Sequence, residues 1–146
     1  MKCFDLQVNG AFGVDFSADT LTEDDFLRCA EAVLASGVTR FLPTVITSSW
    51  ETYRQRLPML AGAIRKAGLE YEMPGLHLEG PFISPEPGAV GAHNPQWVVS
   101  PTPAALRELH EMAEGKISLR TFAAEADGAA ETIREAHKLG IAASLG

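Results

Sequence analysis

Two rhythms alternate along this chain: short stretches with apolar residues at every second position, and longer ones with apolar residues at every third or fourth. FDLQV (4–8) alternates strictly, with Phe4, Leu6 and Val8 on one face and Asp5, Gln7 and Asn9 on the other, as in a β-strand. TEDDFLRCAEAVLASG (22–37) switches to helical spacing through Phe26, Leu27, Ala30, Val33 and Leu34. Thr22 is placed to cap this helix, acids fill its first turn and Gly37 stops it. VTRFLPTVI (38–46) predicts the next strand, with Pro43 marking its end or a bulge because proline has no amide hydrogen for the ladder. A second helix is predicted from Ser48, whose spacing to Glu51 suits a capping box, to Gly68. It carries Trp50, Tyr53, Leu57, Leu60 and Ile64, and Pro58 is expected to kink or split it. GLHLEG (75–80) is the third strand. Thr102 caps a third helix with Pro103 at its first position and Leu106, Leu109, Met112 and Ala113 on its apolar face. ISLRTFAAE (117–125) is the fourth strand, GAAETIREAHKLG (128–140) a helix capped by Asp127, and IAASLG (141–146) a fifth strand.

Strands separated by helices imply right-handed βαβ units and a parallel sheet, hence an α/β fold. NGAFG, after the first strand, is not the G-x-G-x-x-G of a dinucleotide-binding turn. Polar groups instead recur near the C-terminal ends of the strands: Gln7 and Asn9, Thr44, His77 and Glu79, Glu125, Ser144. In a (β/α)8 TIM barrel that end holds the active site, and several strands contribute to it. The expected architecture is therefore a partial (β/α)8 TIM barrel, about the first five strands with their helices, forming a single partial barrel domain over residues 1–146. A whole barrel takes about 250 residues, and a chain that starts and stops on strands leaves two unpaired edges, so a piece of a barrel is expected.

Composition narrows the class. The 146 residues are 46% hydrophobic and 21% charged, the make-up of a globular domain. No run approaches the roughly 20 apolar residues that span a bilayer, and the N-terminus lacks the apolar core of a signal peptide, so a soluble cytoplasmic protein is expected. Net charge is −7, with 12 basic residues scattered among 19 acidic ones, which argues against a nucleic-acid or membrane partner. Cys3 and Cys29 are too few for a zinc ribbon or a disulfide scaffold and read as small buried hydrophobes.

The candidate chemistry centres on GLHLEGPFISPEPGAVGAHNP (75–95). A period of two puts Glu79 on the same face as His77, at a strand end that Gly80-Pro81 turns away. A carboxylate there can bind a divalent metal or move protons, or be a buried acid held by backbone donors or a basic neighbour. His77 can ligate or orient a ligand from behind. His93 follows GAVGA, where a guest can approach the backbone closely, and is either a binding residue or a solvated loop histidine. Gln7 and Asn9 have the i, i+2 spacing of a His-x-His pair, but amides are poor zinc ligands, which favours hydrogen bonding to substrate or to neighbouring strands. Glu125 is a mouth residue or a salt-bridge partner. His110 and His137, on helices, are read as non-catalytic.

Taken in order, DLQVNGAFGVDF (5–16), GVTRFLPTVITS (37–48), GLHLEGPFISPEPGAVGAHNP (75–95), and TFAAE followed by HKLGIAASLG resemble the N-acetylglucosamine-6-phosphate deacetylases of the amidohydrolase superfamily. The resemblance implies a (β/α)8 barrel beside a small β-sandwich domain, the sandwich and the second half of the barrel being absent here. It implies that Glu79 is a direct metal ligand, that Ala92 and His93 contact the amino-sugar phosphate, and that Gln7 and Asn9 fill the His-x-His slot. The cofactor implied is one divalent metal ion, zinc-like, with iron or another transition metal as alternatives. The implied reaction is hydrolysis of the N-acetyl amide to glucosamine 6-phosphate and acetate, in an enzyme that is typically a homodimer. The histidine ligands and the catalytic aspartate of the family would fall beyond Gly146, so no catalytic residue is expected in this chain, which is expected to be inactive alone. Rival expectations are another amidohydrolase with a different amide, and a non-catalytic half-barrel assembly module.

Overall fold

The computed structural model describes residues 3–146. Its strands and helices follow one another as β1 (Phe4–Val8), β2 (Gly10–Ala11), β3 (Val14–Asp15), α1 (Glu23–Ala35), β4 (Arg40–Ile46), α2 (Trp50–Ala67), β5 (Leu76–Glu79), a 3₁₀ turn (Pro95–Trp97), α3 (Pro103–Met112), β6 (Ile117–Phe122), α4 (Ala129–Lys138) and β7 (Ala142–Leu145). β1, β4, β5, β6 and β7 form one sheet in that order, every neighbouring pair parallel, while β2 and β3 make a two-residue antiparallel hairpin. A doubly wound sheet reverses its strand order at a switch point. This sheet advances in one direction only, so right-handed crossovers lay all four helices on the same face, the arrangement of a barrel arc.

That face holds the core. Phe26, Cys29, Ala30 and Val33 of α1, Tyr53, Leu57, Leu60 and Ile64 of α2, and Leu106 and Leu109 of α3 pack with Phe41, Val45, Leu76, Leu78, Ile117 and Phe122 of the strands. Each large side chain withdrawn in this way contributes about 1.5–3 kcal/mol. Helix ends follow local chemistry. Thr22 and Thr102 accept from the amides of Asp25 and Ala105, Pro103 opens α3, and Gly68 closes α2 with φ +69°.

Several expectations are corrected. Ser49, not Ser48, caps α2, accepting from the Thr52 amide, while Ser48 Oγ donates to the Ile46 carbonyl and Glu51 accepts from Gln55 rather than closing a capping box. α2 runs unbroken through Pro58, its apolar side held against the sheet. Of the two readings of Pro43, a strand end or a bulge, the bulge holds: Pro43 lies inside β4, and the β1–β4 pairing shifts register beside it, between Asp5 and Val8. The fourth parallel strand stops at Phe122, leaving Glu125 in the following loop. α4 begins after Gly128 (φ +84°) with no side-chain cap, so Asp127 does not cap it. Phe4 and Leu6 are 43% and 51% exposed because β1 is an edge strand. Cys3 is exposed rather than buried, and Cys29 is buried with Sγ 3.3 Å from the Ala11 carbonyl; both are free thiols. Among the described residues no helix is long and apolar enough to cross a membrane.

One buried residue breaks the usual rule for charge. Arg120 of β6 is 0% exposed, and none of its three guanidinium nitrogens has a hydrogen-bond partner among the described residues. The guanidinium instead lies 4.0 Å over the Phe82 ring and 5.8 Å from that of Phe122. Desolvation pulls its pKa down to about 10, below the ordinary arginine value, so it stays charged at neutral pH.

Candidate functional site

At the C-terminal ends of the strands, the parallel ladder brings Ile46, Glu79, Thr121 and Ser144 into one row across β4, β5, β6 and β7. Glu79, the last residue of β5, keeps about a quarter of its side chain exposed. Asn9, just past β1, reaches across the sheet and donates from Nδ2 to Glu79 Oε2 at 3.2 Å. The more exposed Gln7 donates from Nε2 to Asn9 Oδ1 at 3.4 Å. The i, i+2 pair is thus a short relay that orients the carboxylate, leaving Oε1 free.

Immediately after Glu79 the chain must turn, and only glycine fits. Gly80 has φ +111°, and a Cβ there would stand 1.9 Å from Thr47 Oγ1. The loop that follows is anchored where Ala123 N donates to the Phe82 carbonyl (2.8 Å) and Val99 N to that of Pro81 (3.0 Å). Within it His93 comes back over Glu79, with Nε2 3.9 Å from Glu79 Oε1. Its Nδ1 accepts the backbone N–H of Thr47 at 3.4 Å. A neutral ring accepting at Nδ1 carries its hydrogen at Nε2, so His93 presents an N–H donor toward the carboxylate. The 3.9 Å gap is too long for a direct hydrogen bond.

A cleft of about 340 Å³ opens here, lined by Glu79, Ile83, Ala89, His93, Thr121 and Glu125 among others. Its chemistry is one oriented carboxylate, one N–H donor and a second, exposed carboxylate, between apolar walls. Ala92 is exposed beside His93 and does not line the cleft. His77 and Thr44 lie one layer below the mouth, both buried, with the ring between Thr44 Oγ1 (3.3 Å) and Thr121 Oγ1 (2.9 Å). Burial lowers the His77 pKa against the pull of Glu79 and the Leu6 backbone, so the ring is neutral. Ser144 sits on the edge strand with its hydroxyl turned to the Leu145 carbonyl. His110 and His137 lie on α3 and α4. Sequence reading missed Thr121 and Thr47; nothing local marks them, since both matter through residues more than 30 positions away.

The donor set can be tested against a divalent metal. A catalytic zinc takes about three protein ligands. Glu79 offers one oxygen, His93 Nε2 carries a hydrogen, and among the described residues no group of three or more His, Cys, Asp or Glu could hold an ion. These residues do not by themselves make a metal centre.

No family model matches the chain. Its sequence is 40% identical over 149 residues to the N-acetylglucosamine-6-phosphate deacetylase of Caenorhabditis elegans, an alignment covering 97% of this chain and 35% of that protein. Its fold superposes on the crystal structure of N-acetyl-D-glucosamine-6-phosphate deacetylase from Mycobacterium smegmatis with TM-score 0.87 and 31% identity, covering 99% of this chain and 36% of that one. A variant of the same enzyme, solved in complex with N-acetyl-D-glucosamine-6-phosphate, superposes with TM-score 0.84. The chain spans about a third of the length of these relatives. In sequence and in fold alike, the chain is similar to about one third of an N-acetylglucosamine-6-phosphate deacetylase.

Proposed function

We propose that this chain carries part of the active site of an N-acetylglucosamine-6-phosphate deacetylase: the carboxylate that ligates the metal and the loop that binds the sugar. The observation that carries the reading is the convergence of Asn9 and His93, 70 and 14 residues away in sequence, on the Glu79 carboxylate, which lines the cleft together with His93. In this reading residues 1–146 are about the first five strands of a (β/α)8 barrel, with the rest of the barrel and a small β-sandwich domain supplied elsewhere. Asn9 holds Glu79 through Oε2, so that Glu79 would hold one position of a divalent ion, and Gln7 steadies Asn9. A zinc- or iron-like divalent ion would supply Lewis acidity for hydrolysis of the N-acetyl amide. The Nε2–H of His93 donates to an oxygen of the amino-sugar phosphate, and the neighbouring Ala92 leaves room for the ring. The products are glucosamine 6-phosphate and acetate, in a cytoplasmic, homodimeric enzyme of amino-sugar catabolism.

With one metal ligand among its described residues, the 146-residue chain is inactive alone. Calorimetric titration with N-acetylglucosamine 6-phosphate tests the site, and acetate release tests activity. Weak binding by the chain that is lost in His93→Ala, without acetate release, supports the reading. Binding unaffected by His93→Ala refutes the site, and turnover by the chain alone refutes its incompleteness.

A further inference from the structure

The ring of His77 is gripped on both sides, and the direction of each hydrogen bond follows from the groups around it. Thr44 Oγ1 lies 3.0 Å from the Leu42 carbonyl, which can only accept, so the Thr44 hydrogen is committed there. The 3.3 Å contact between Thr44 Oγ1 and His77 Nδ1 then needs its hydrogen on the ring, and Nδ1–H donates. The ring is 2% exposed and flanked by hydroxyls, a setting that holds the neutral imidazole with a single N–H. Nε2 is therefore a lone pair, and Thr121 Oγ1, 2.9 Å away, must give it its hydrogen. The chain of donors runs one way, from β6 through β5 to β4: Thr121 to His77 to Thr44 to the Leu42 carbonyl.

The consequence lies at the other end. Thr121 stands beside Glu79 in the ladder and lines the cleft. With its hydrogen spent on His77, its hydroxyl has only lone pairs left to offer. We propose that His77 fixes Thr121 as an acceptor-only group in the wall of the cleft, there to receive a hydroxyl or amide N–H of the bound sugar next to Glu79. His77 is then a positioning residue acting through Thr121, and Thr121 a binding residue. The identity of the guest rests on the function proposed above; the polarity of the relay does not.

The test has two arms. Two-bond proton–nitrogen spectra of the chain labelled with ¹⁵N-histidine report which ring nitrogen of His77 holds the hydrogen. The Nδ1–H pattern is expected, and an Nε2–H or doubly protonated ring overturns the proposal. In the second arm N-acetylglucosamine 6-phosphate is titrated into the unaltered chain, Thr121→Ser and Thr121→Val, with circular dichroism checking that each is folded. Thr121→Ser should bind as the unaltered chain does, and Thr121→Val about three- to tenfold more weakly, the usual effect of one net hydrogen bond. Equal affinity of Thr121→Val overturns the proposal. If the unaltered chain does not bind, the substrate reading and the guest half of the proposal both fall, while the ring pattern still decides the relay.

Discussion

Replacing Arg120 with methionine should stabilise the protein. The guanidinium is fully buried, its nitrogens have no hydrogen-bond acceptor among the described residues, and its pKa falls about 2.5 pH units below the ordinary arginine value, to about 10. At 1.36 kcal/mol per pH unit, carrying the charge in this site costs about 3 kcal/mol. Stacking over Phe82 at 4.0 Å returns about 2 kcal/mol, the upper range for a desolvated cation over a ring. The charge therefore leaves a net deficit of about 1 kcal/mol. A methionine of similar length keeps the contact with the phenylalanine rings and removes that deficit. Arg120→Met should raise the urea midpoint by an amount equivalent to about 1–2 kcal/mol with an unchanged slope. Arg120→Lys, which loses the planar stack and keeps the charge, should lower it. The sign with pH follows from the depressed folded-state value. Below about pH 10 both states hold the proton and the penalty is fully present; it is relieved as pH rises from about 10 toward the ordinary arginine value. The gain of the methionine variant should thus be flat across neutral pH. A loss of more than about 1 kcal/mol on Arg120→Met would refute the reasoning, because it would mean that the buried guanidinium stabilises the fold on balance.

Other perturbations separate the roles around the cleft. Gly80→Ala forces a Cβ to 1.9 Å from Thr47 Oγ1 at φ +111° and should cost about 2–5 kcal/mol, measured as a fall in Tm. Asn9→Ala removes the partner of Glu79 Oε2 and should cost about 1 kcal/mol in urea denaturation, while Gln7→Ala, whose 3.4 Å bond is exposed, should be nearly neutral; equal effects would show that the relay has no direction. Glu135 is held below the usual carboxylate range by hydrogen bonds from Arg107 and Lys138, so this pairing favours the fold above the ordinary glutamate pKa and is lost as pH falls through the depressed value. Arg107→Ala should move the Glu135 titration upward in an NMR pH series, and an unmoved midpoint would show that the pair is fully screened.

The chain's rhythm, its caps at Thr22, Thr102 and Gly68, and the identity of its best-marked stretch, HLEGP with GAHNP, were all readable in one dimension. They are governed by interactions within a turn or two of chain: a hydroxyl and an amide three positions on, a side chain and the face it shares with its neighbours. The parallel sheet followed as well, since alternating strands and helices leave few other topologies. Tertiary structure decided the rest. The apolar alternation placed Phe4 and Leu6 on one face without deciding its burial; they are exposed, because burial on a strand depends on what lies beside it and β1 is an edge. The start of α4 and the stop of β6 at Phe122 went to the docking of the loop after β6, where Ala123 bonds to Phe82, rather than to the Asp127 side chain. Glu79 was legible as a candidate, but its partner Asn9 lies 70 positions away, and His77 gained its meaning only between Thr44 and Thr121. Periodicity reveals which face of a strand a residue occupies. Which residue it meets across that face is set by the register of neighbouring strands, and that register is fixed by crossover length and helix packing, which no local pattern carries.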